Sequence, residues 1–323
     1  MIDLHTHSNA SDGNYSPSSL IEEAAKRGIT ALALTDHDTI NGLEEAANAA
    51  LKRKIRFIPG IELEITRDFE SLGDFHLLGL GINHPTRDFR AEVEKLARLR
   101  EERNLEIVGR MNEAGIDVSY DEIKAIAKGT ELQDLKAHES DAQGPKAHRT
   151  KARELKGRDP QIGKPSFPPC SIGRLHFAVF LVKKKVVKNL ELAFSRYLSK
   201  GKPFYIPKAG LKLEQAVKLI HESGGIAVLA HPMSLYLAWG RLPDFIKDLK
   251  DRGLDGLEAW HPNAKVASCR RLEALGEKLD LCITAGSDFH GETRLDRKLG
   301  ITAGKKKIDE SFLENIPALA GSL

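Results

Sequence analysis

The 323-residue chain has few cysteines, and those it has are far apart. Cys170, Cys269 and Cys282 are too few and too scattered for a disulfide framework or a zinc site of the CxxC type. Reduced thiols of this kind are typical of cytoplasmic proteins. No apolar run approaches the ~18 residues that a membrane span requires, and the N-terminus lacks the basic and apolar regions of a signal peptide. We therefore expect a cytoplasmic protein with no membrane partner.

A surplus of charge of one sign is also missing. The formal net charge is +3, from 49 basic and 46 acidic residues, so the overall charge gives no argument for binding nucleic acid. Apolar residues make up 41% of the chain, which is enough for a large core. The length suits one α/β barrel, which often takes ~250 residues, plus an insertion of roughly 70 to 100 residues.

Short apolar runs alternate with helical patterns at both ends of the chain, and this alternation predicts βα units around a parallel sheet or barrel. Helix boundaries carry ordinary signals: Ser16 and Pro17 begin the first helix, and Gly28 ends it. The predicted strands are residues 1–4, 31–34, 56–58 continuing toward 61, 76–80, 226–230, 256–259 and 281–284.

The alternation breaks between residues 87 and 204, where the pattern is helical and no strand is evident. We therefore predict a barrel formed by residues 1–86 and 205–323, with residues 87–204 as an inserted helical cap subdomain. Within the insertion, residues 138–169 are poor in large apolar side chains and rich in Gly, Pro, Lys and Arg. This composition predicts a solvated, flexible loop, or else a loop that guides an anionic substrate.

Histidines and acidic residues follow nearly every predicted strand. A single histidine at such a position is more often structural, but the C-terminal ends of parallel strands meet at one mouth of a barrel. Many such residues at one mouth indicate a metal site. The candidates are His5, His7, Asp12, Asp36, His37, Asp38, Glu62, His76 at the start of its run, His231, His261, Asp288 and His290.

The spacing and chemistry of these residues favour a centre with several metal ions. His5 and His7 are two apart on a strand and so point to the same face. Imidazole together with carboxylate suits Mn, Fe or Zn, whereas oxygen ligands alone would suit Mg or Ca. A bridging carboxylate such as Glu62 would hold two ions ~3.5–4 Å apart. The number of candidate ligands predicts two or three divalent ions, with Mn²⁺ expected and Fe²⁺ or Zn²⁺ as alternatives.

Six motifs in order, HTHSNASDG, ALTDHDTINGLEEA, GIELEI, FHLLGLG, AHP and GSDFH, resemble those of the PHP (polymerase and histidinol phosphatase) family. The segments SIGRLHFAVFLV and AFSRYLSKGKPFYIP are similar to the subfamily of 3′,5′-nucleoside bisphosphate phosphatases and related 5′→3′ exoribonucleases. The resemblance covers residues 1 to about 291, apart from 138–169, a stretch longer than this subfamily usually carries. It implies a distorted (β/α)7 TIM-like barrel with a small helical insertion.

The resemblance also implies roles for individual residues. A first metal ion would be held by His5, His7, Glu62 and Asp288, a second by Glu62, His76 and His231, and a third by Asp12, His37 and His290. Arg174 and His176 match the phosphate-contacting pair of the family. Asp12, His231, Arg174 and His176 are expected to be essential for catalysis.

Three further positions have less specific expectations. His261 is either a substrate contact, a partner of a metal ligand, or a structural turn residue. Asp36 and Asp38 are expected to orient histidines.

The implied function is hydrolysis of a terminal phosphate on a small nucleotide such as 3′-phosphoadenosine 5′-phosphate (pAp), by a hydroxide bound to the metal ions. The 5′ ends of short RNA are a second expected substrate. Three alternatives stay open: a histidinol-phosphate phosphatase, against which SIGRLHFA argues; a metal-dependent amidohydrolase, for which a strand-end lysine is missing; and a non-catalytic metal-binding module, which would usually have lost ligands. The sequence does not indicate an oligomeric state.

Overall fold

The computed structural model of the chain describes residues 1–66, 73–127, 172–291, 294, 296–316 and 319. The predicted loop 138–169 lies outside these residues, as does Cys170. Within them, no helix has both the length and the apolar character needed to cross a bilayer.

Seven strands form one sheet in the order of the sequence. They are β1 (Ile2–Asp3), β2 (Ala31–Leu34), β3 (Arg56–Glu64), β4 (His76–Leu80), β5 (Ile226–Leu229), β6 (Gly256–Trp260) and β7 (Cys282–Ala285). The sheet nearly closes on itself, because Thr6 bridges to Phe289 beyond β7 and the Asp288 N–H donates to the His5 carbonyl at 2.9 Å. The predicted barrel of seven strands is confirmed.

The expectation that all strands are parallel was wrong for β4, which runs antiparallel to both β3 and β5. The chain passes from Glu64 to His76 by a short connection, and a parallel pair would need a crossover of a dozen or more residues, usually a helix. As a result, the first residue of β4 pairs with the last residue of β3. His76 therefore lies at the same mouth as the C-terminal ends of the parallel strands.

Helices surround the sheet and also make up the described part of the predicted insertion. Ser16 caps the first of them by accepting a hydrogen bond from the Ser19 N–H at 3.2 Å, as its Ser-Pro start predicts. The helices are α1 (Pro17–Lys26), α2 (Leu43–Arg53), α3 (Arg87–Glu113), α4 (Tyr120–Ala127), α5 (Arg174–Lys183), α6 (Leu190–Ala193) running into a π-helical turn (Phe194–Leu198), α7 (Leu213–Glu222), α8 (Leu242–Asp251), α9 (Val266–Lys278) and α10 (Ser311–Glu314).

Helix α3 connects two separate hydrophobic cores. Its first half places Phe89 and Val93 in the core of the barrel. Its second half places Ile107 and Met111 in a second core, which the large side chains of α5 complete. Each fully buried side chain of this size stabilises the fold by about 1.5–3 kcal/mol, so the cap is anchored through one long helix. The division at residues 87 and 204 stays a prediction.

Candidate active site

The predicted metal ligands come together at one mouth of the barrel. Glu62 is at their centre, and its side chain is only 1% exposed. Its Oε2 lies 3.4 Å from His5 Nε2, 3.2 Å from His7 Nε2 and 3.0 Å from His37 Nδ1. Its Oε1 lies 2.7 Å from His76 Nδ1 and 2.8 Å from His231 Nε2. The two oxygens of one carboxylate thus face two different groups of imidazoles, as a bridging ligand would.

Two aspartates complete the cluster on either side of Glu62. Asp288 Oδ1 lies 3.2 Å from His7 Nε2, and Asp12 Oδ1 lies 3.2 Å from His290 Nε2. Among the described residues, several groups of three or four side chains have their potential ligand atoms within 4.8 Å of one another, and some residues belong to more than one group. Those among the predicted ligands are His5, His7 and Asp288; His37, Glu62 and His76; and His7, Asp12, His37 and His290.

Two of these residues are held in unusual backbone conformations. His231 has φ 29° and Asp288 has φ 51°, in the region that costs a residue with a side chain about 1–3 kcal/mol. The Glu258 Oε2 atom accepts a bond from the His231 N–H at 2.7 Å, and the Asp288 N–H is fixed by the His5 carbonyl at 2.9 Å. These hydrogen bonds therefore hold the strained backbone at two residues whose side chains line the cavity at the mouth.

Several imidazoles are oriented as metal ligands usually are. His5 Nδ1 donates to Glu258 Oε1 at 3.0 Å, and His76 Nε2 donates to Glu64 Oε2 at 2.9 Å. The ring of His231 uses Nδ1 toward Ser234 Oγ at 2.5 Å. With the outer nitrogen donating, the inner nitrogen points at the centre of the cluster, the arrangement by which proteins fix the tautomer of a metal-binding histidine. This donor set fits a divalent transition metal.

The charges of the cluster shift its pKa values in opposite directions. Burial alone would raise the pKa of Glu62, but the surrounding imidazoles, led by His37 and His76, hold it well below its usual range. Burial would lower the pKa of His7, but the hydrogen bonds that its ring donates to Asp288 and Glu62 outweigh burial and raise this pKa to about 9. The carboxylates are thus ready to bind a cation, whereas part of the imidazole set carries protons that a cation must displace.

We expect divalent metal binding to release protons at neutral pH. Burial would lower the pKa of His76, but the charges of Glu62 and Glu64 raise it to about 10, so His76 and His7 are both protonated without metal. The charges of Glu258 and Glu62 also raise the pKa of His5 well above its usual value, against the effect of burial. Binding near pH 7.5 should therefore release about three protons, and apparent affinity should rise as the pH approaches 9. Calorimetry in buffers of different ionisation enthalpy measures this release; no release would contradict the assignment of these rings.

The carboxylates that orient the histidines were partly missed by the sequence analysis. Glu258 and Glu64, not Asp36 and Asp38, contact the imidazoles. Asp36 instead accepts bonds from the N–H of Ser8 at 2.8 Å and from its hydroxyl at 2.6 Å. The Asp36 carboxylate is thus bound to the segment that follows β1 and not to an imidazole. The signal in the sequence that could have indicated Glu258 and Glu64 was an acidic residue inside an apolar strand, in GLEAW of β6 and in IELE of β3.

Asp38 links β3 to α3 and does not orient an imidazole. Its Oδ1 accepts a bond from the Glu64 N–H at 2.9 Å, and its Oδ2 pairs with Arg100 of α3. His261 lies behind a metal-ligand candidate, with its Nε2 3.3 Å from Asp288 Oδ2 and 3.0 Å from Arg297 Nη1. Its role as a substrate contact stays a prediction.

A cavity of about 260 Å³ separates the cluster from the insertion. Arg174 and His176, at the start of α5, line it from the cap, as the sequence analysis expects for residues that contact a phosphate. Arg174 Nη1 donates to the Leu198 carbonyl at 3.4 Å. The other cationic side chains of the wall were not predicted: Arg100, Arg103, Lys208, Arg294 and Arg297.

Comparisons with known proteins place the chain in one family. The sequence model of the PHP domain family matches residues 3–205. A 5′-3′ exoribonuclease of Haemophilus influenzae is 32% identical over 313 residues, which cover 96% of this chain and 98% of that protein. A 3′,5′-nucleoside bisphosphate phosphatase of Chromobacterium violaceum is 30% identical over 301 residues, which cover 93% of this chain and 91% of that protein. Both relatives are named for hydrolysis of phosphate esters.

Similarity in three dimensions extends over the whole chain. A solved structure from Chromobacterium violaceum, described as an amidohydrolase with bound sulfate and no metal, has 28% sequence identity. It superposes with a TM-score of 0.72 and covers 99% of this chain and 98% of that chain.

Proposed function

Because the chain belongs to the PHP domain family of metal-dependent phosphoester hydrolases, we propose that it removes a terminal phosphate from nucleotides such as pAp. The observation that carries this proposal is the cavity that joins the carboxylate–histidine cluster to Arg174 and His176. At about 260 Å³ it is near the lower limit of small-molecule sites, ~300 Å³, which favours a single nucleotide over a long chain.

In this proposal, the ligands fall into three groups, and the first two of them share Glu62 as a bridge. Its central place, with five imidazole nitrogens within 3.4 Å of its oxygens, supports this role. Mn²⁺ is the expected metal, with Fe²⁺ or Zn²⁺ as alternatives, in two or three sites. The groups are His5, His7, Glu62 and Asp288; Glu62, His76 and His231; and Asp12, His37 and His290.

When bound, the metal ions would acidify a water molecule and neutralise charge on the phosphate oxygens. Arg174 suits the phosphate because its planar guanidinium donates two parallel hydrogen bonds. His176 Nδ1 accepts a bond from the Gly173 N–H at 3.0 Å, and burial lowers its pKa. The ring is therefore neutral at pH 7 with its proton on Nε2, where it can donate to a phosphate oxygen or to the leaving oxygen.

The test is phosphate release from pAp with added Mn²⁺, beside a 5′-phosphorylated short RNA and histidinol phosphate. We expect rapid release from pAp and little from histidinol phosphate. Arg174→Ala should lower kcat/KM for pAp by roughly 10²-fold, since it removes charge-assisted hydrogen bonds. Arg196→Ala, an exposed arginine of the same cap, is the matched control and should leave kcat/KM unchanged.

The same assay separates the alternatives. Degradation of the RNA alone would replace this proposal by a 5′→3′ exonuclease, the second candidate, which the similarity to the Haemophilus influenzae protein favours. Turnover of histidinol phosphate alone would favour that phosphatase. A protein that binds metal but hydrolyses none of the three would be a non-catalytic module or an amidohydrolase. An amidohydrolase of this type would have a lysine at the end of a strand. Lys208 is the one lysine of the described cavity wall, and it follows no strand. Its Nζ donates to Glu64 Oε2 at 2.8 Å.

A further inference from the structure

The chain returns from the predicted insertion to the barrel through residues 204–213, and this segment is bound to the end of β3. Phe204 lies in the second core and Leu211 in the core of the barrel. The Leu211 N–H donates to the Glu64 carbonyl at 3.0 Å, and the Thr66 N–H donates to the Leu211 carbonyl at 2.8 Å. The segment therefore connects the two cores, as α3 also does.

A glycine allows the segment to lie this close to β3. The Gly210 carbonyl accepts a bond from Thr66 Oγ1 at 2.9 Å. A Cβ atom on Gly210 would lie only 2.7 Å from the Glu64 carbonyl oxygen, so any other residue would push the segment away from the strand. The backbone two residues after Lys208 is thus fixed against β3, and Lys208 is held beside the end of that strand.

The ammonium group of Lys208 is the first member of a chain of hydrogen bonds that ends at a predicted metal ligand. Its Nζ donates to Glu64 Oε2 at 2.8 Å, and the same oxygen accepts a bond from His76 Nε2 at 2.9 Å. The other ring nitrogen, His76 Nδ1, lies 2.7 Å from Glu62 Oε1 and 3.3 Å from His231 Nε2. Lys208 is thus linked to the centre of the cluster through one carboxylate and one imidazole.

Glu64 depends on this cation. Its side chain is only 8% exposed, and burial of a carboxylate is unfavourable unless a charge or hydrogen bonds compensate it. Lys208 supplies both at Oε2, at the distance of a charge-assisted hydrogen bond. Without Lys208, Glu64 could turn away, and His76 would lose the acceptor that fixes its tautomer. Glu64, Asp74 and His76 also bring potential ligand atoms within 4.8 Å of one another, and the positive charge of Lys208 opposes metal binding on this outer side of the ring.

We propose that Lys208 is a positioning residue, which holds Glu64 where Glu64 orients the ring of His76 for metal binding. This inference rests on the proposed function, in which His76 and His231 bind the second metal ion together with Glu62. Lys208 acts through Glu64 and needs no contact with the substrate. Because its segment connects the two cores, the insertion thereby contributes to a metal site that the barrel forms.

The experiment measures Mn²⁺ binding to metal-stripped wild type and Lys208→Met by calorimetry, without substrate. We expect the apparent affinity for one ion to fall about 10- to 100-fold, as when a contact that supports a ligand is lost. Removal of a positive charge alone would raise the affinity for a cation, so the direction of the change identifies the positioning role. Lys208→Arg keeps a charged donor and should recover most of the affinity. Lys202→Met, on an exposed position near the end of the predicted insertion, is the control and should bind Mn²⁺ as wild type does.

A double variant tests whether Lys208 acts through Glu64. Glu64→Gln should lower the Mn²⁺ affinity by a similar factor, and adding Lys208→Met to it should cause at most about a twofold further loss. Two factors that multiply would show that Lys208 acts independently of Glu64 and would overturn the inference. An unchanged or higher affinity in Lys208→Met, or an additional bound ion, would overturn it as well.

Kinetics with pAp separate this role from a contact with the substrate. In Lys208→Met, the Mn²⁺ concentration that gives half of the maximal rate should rise about 10-fold or more, whereas KM for pAp at saturating Mn²⁺ should stay within about twofold. A higher KM with unchanged Mn²⁺ dependence would make Lys208 a substrate contact and contradict the inference. If Lys208→Met does not fold, Lys208→Gln takes its place, with a fall in affinity expected in the same direction. If wild type hydrolysed no pAp, the proposed function would fail, while calorimetry would still decide the role of Lys208.

Discussion

Replacing Glu62 by glutamine should lower kcat/KM for phosphate release by at least about 10³-fold, equivalent to ~4 kcal/mol of transition-state stabilisation. Glutamine keeps the size of the side chain but removes its charge. Five imidazole nitrogens that lie 2.7–3.4 Å from the carboxylate oxygens would then face a neutral amide. Without a bridging anion, adjacent metal ions would repel each other, so bound metal should fall together with activity. Steady-state kinetics and elemental analysis of the purified variant measure the two effects.

Two other glutamates give a graded comparison. Glu258→Gln would disturb the bond to His5 Nδ1 and the bond from the His231 N–H without removing a ligand. Loss of such supporting contacts typically costs 10- to 100-fold, and we expect a loss of about that size. Glu44→Gln, on an exposed position of α2, should behave as wild type. If Glu62→Gln kept its metal and lost less activity than Glu258→Gln, Glu62 would not be the bridging ligand.

The mouth of the barrel was predictable because its signal is local. A histidine or an acid directly after an apolar strand can be read from a few adjacent residues, and the closure of the sheet then brings those strand ends together. The sequence pattern therefore located residues such as His5 and Asp288. It did not reveal the direction of β4. A parallel β4 would put His76, its first residue, at the opposite mouth, and only the family resemblance placed His76 among the ligands. The antiparallel pairing of Glu64 with His76 is what brings it to this mouth.

The supporting residues were harder to predict, because their roles depend on contacts between distant parts of the chain. Glu258 reaches His5 across 253 positions of sequence, and no local pattern identifies that pair. Arg103 lies in the highly charged stretch RLREERN of α3, which in sequence is indistinguishable from the solvated face of a helix. The structure distinguishes this cation, because it is only 6% exposed and lines the cavity beside Arg174.

Removing divalent ions with a chelator should abolish hydrolysis of pAp and also make the fold less stable. The cluster holds the carboxylates of Asp12, Glu62 and Asp288 at one mouth, and a bound cation stabilises only the folded chain that assembles them. An ion present at 100 times its Kd adds about 2.7 kcal/mol to the free energy of unfolding. For a chain of this size, its removal should lower Tm by about 5 °C. Activity assays and thermal unfolding of the same chelated sample measure both effects.

Restoring metal to that sample provides the control and the identity of the ion. Adding Mn²⁺, Fe²⁺ or Zn²⁺ separately should return both activity and Tm, and we expect Mn²⁺ to give the highest kcat. In Glu62→Gln, the same additions should raise Tm less, because the carboxylate that we propose as the bridge is gone. A chelated protein that kept full activity would rule out catalysis by ions in this cluster. If Tm fell while activity persisted, the ions would serve the fold alone, and the reaction would have to depend on Arg174 and His176.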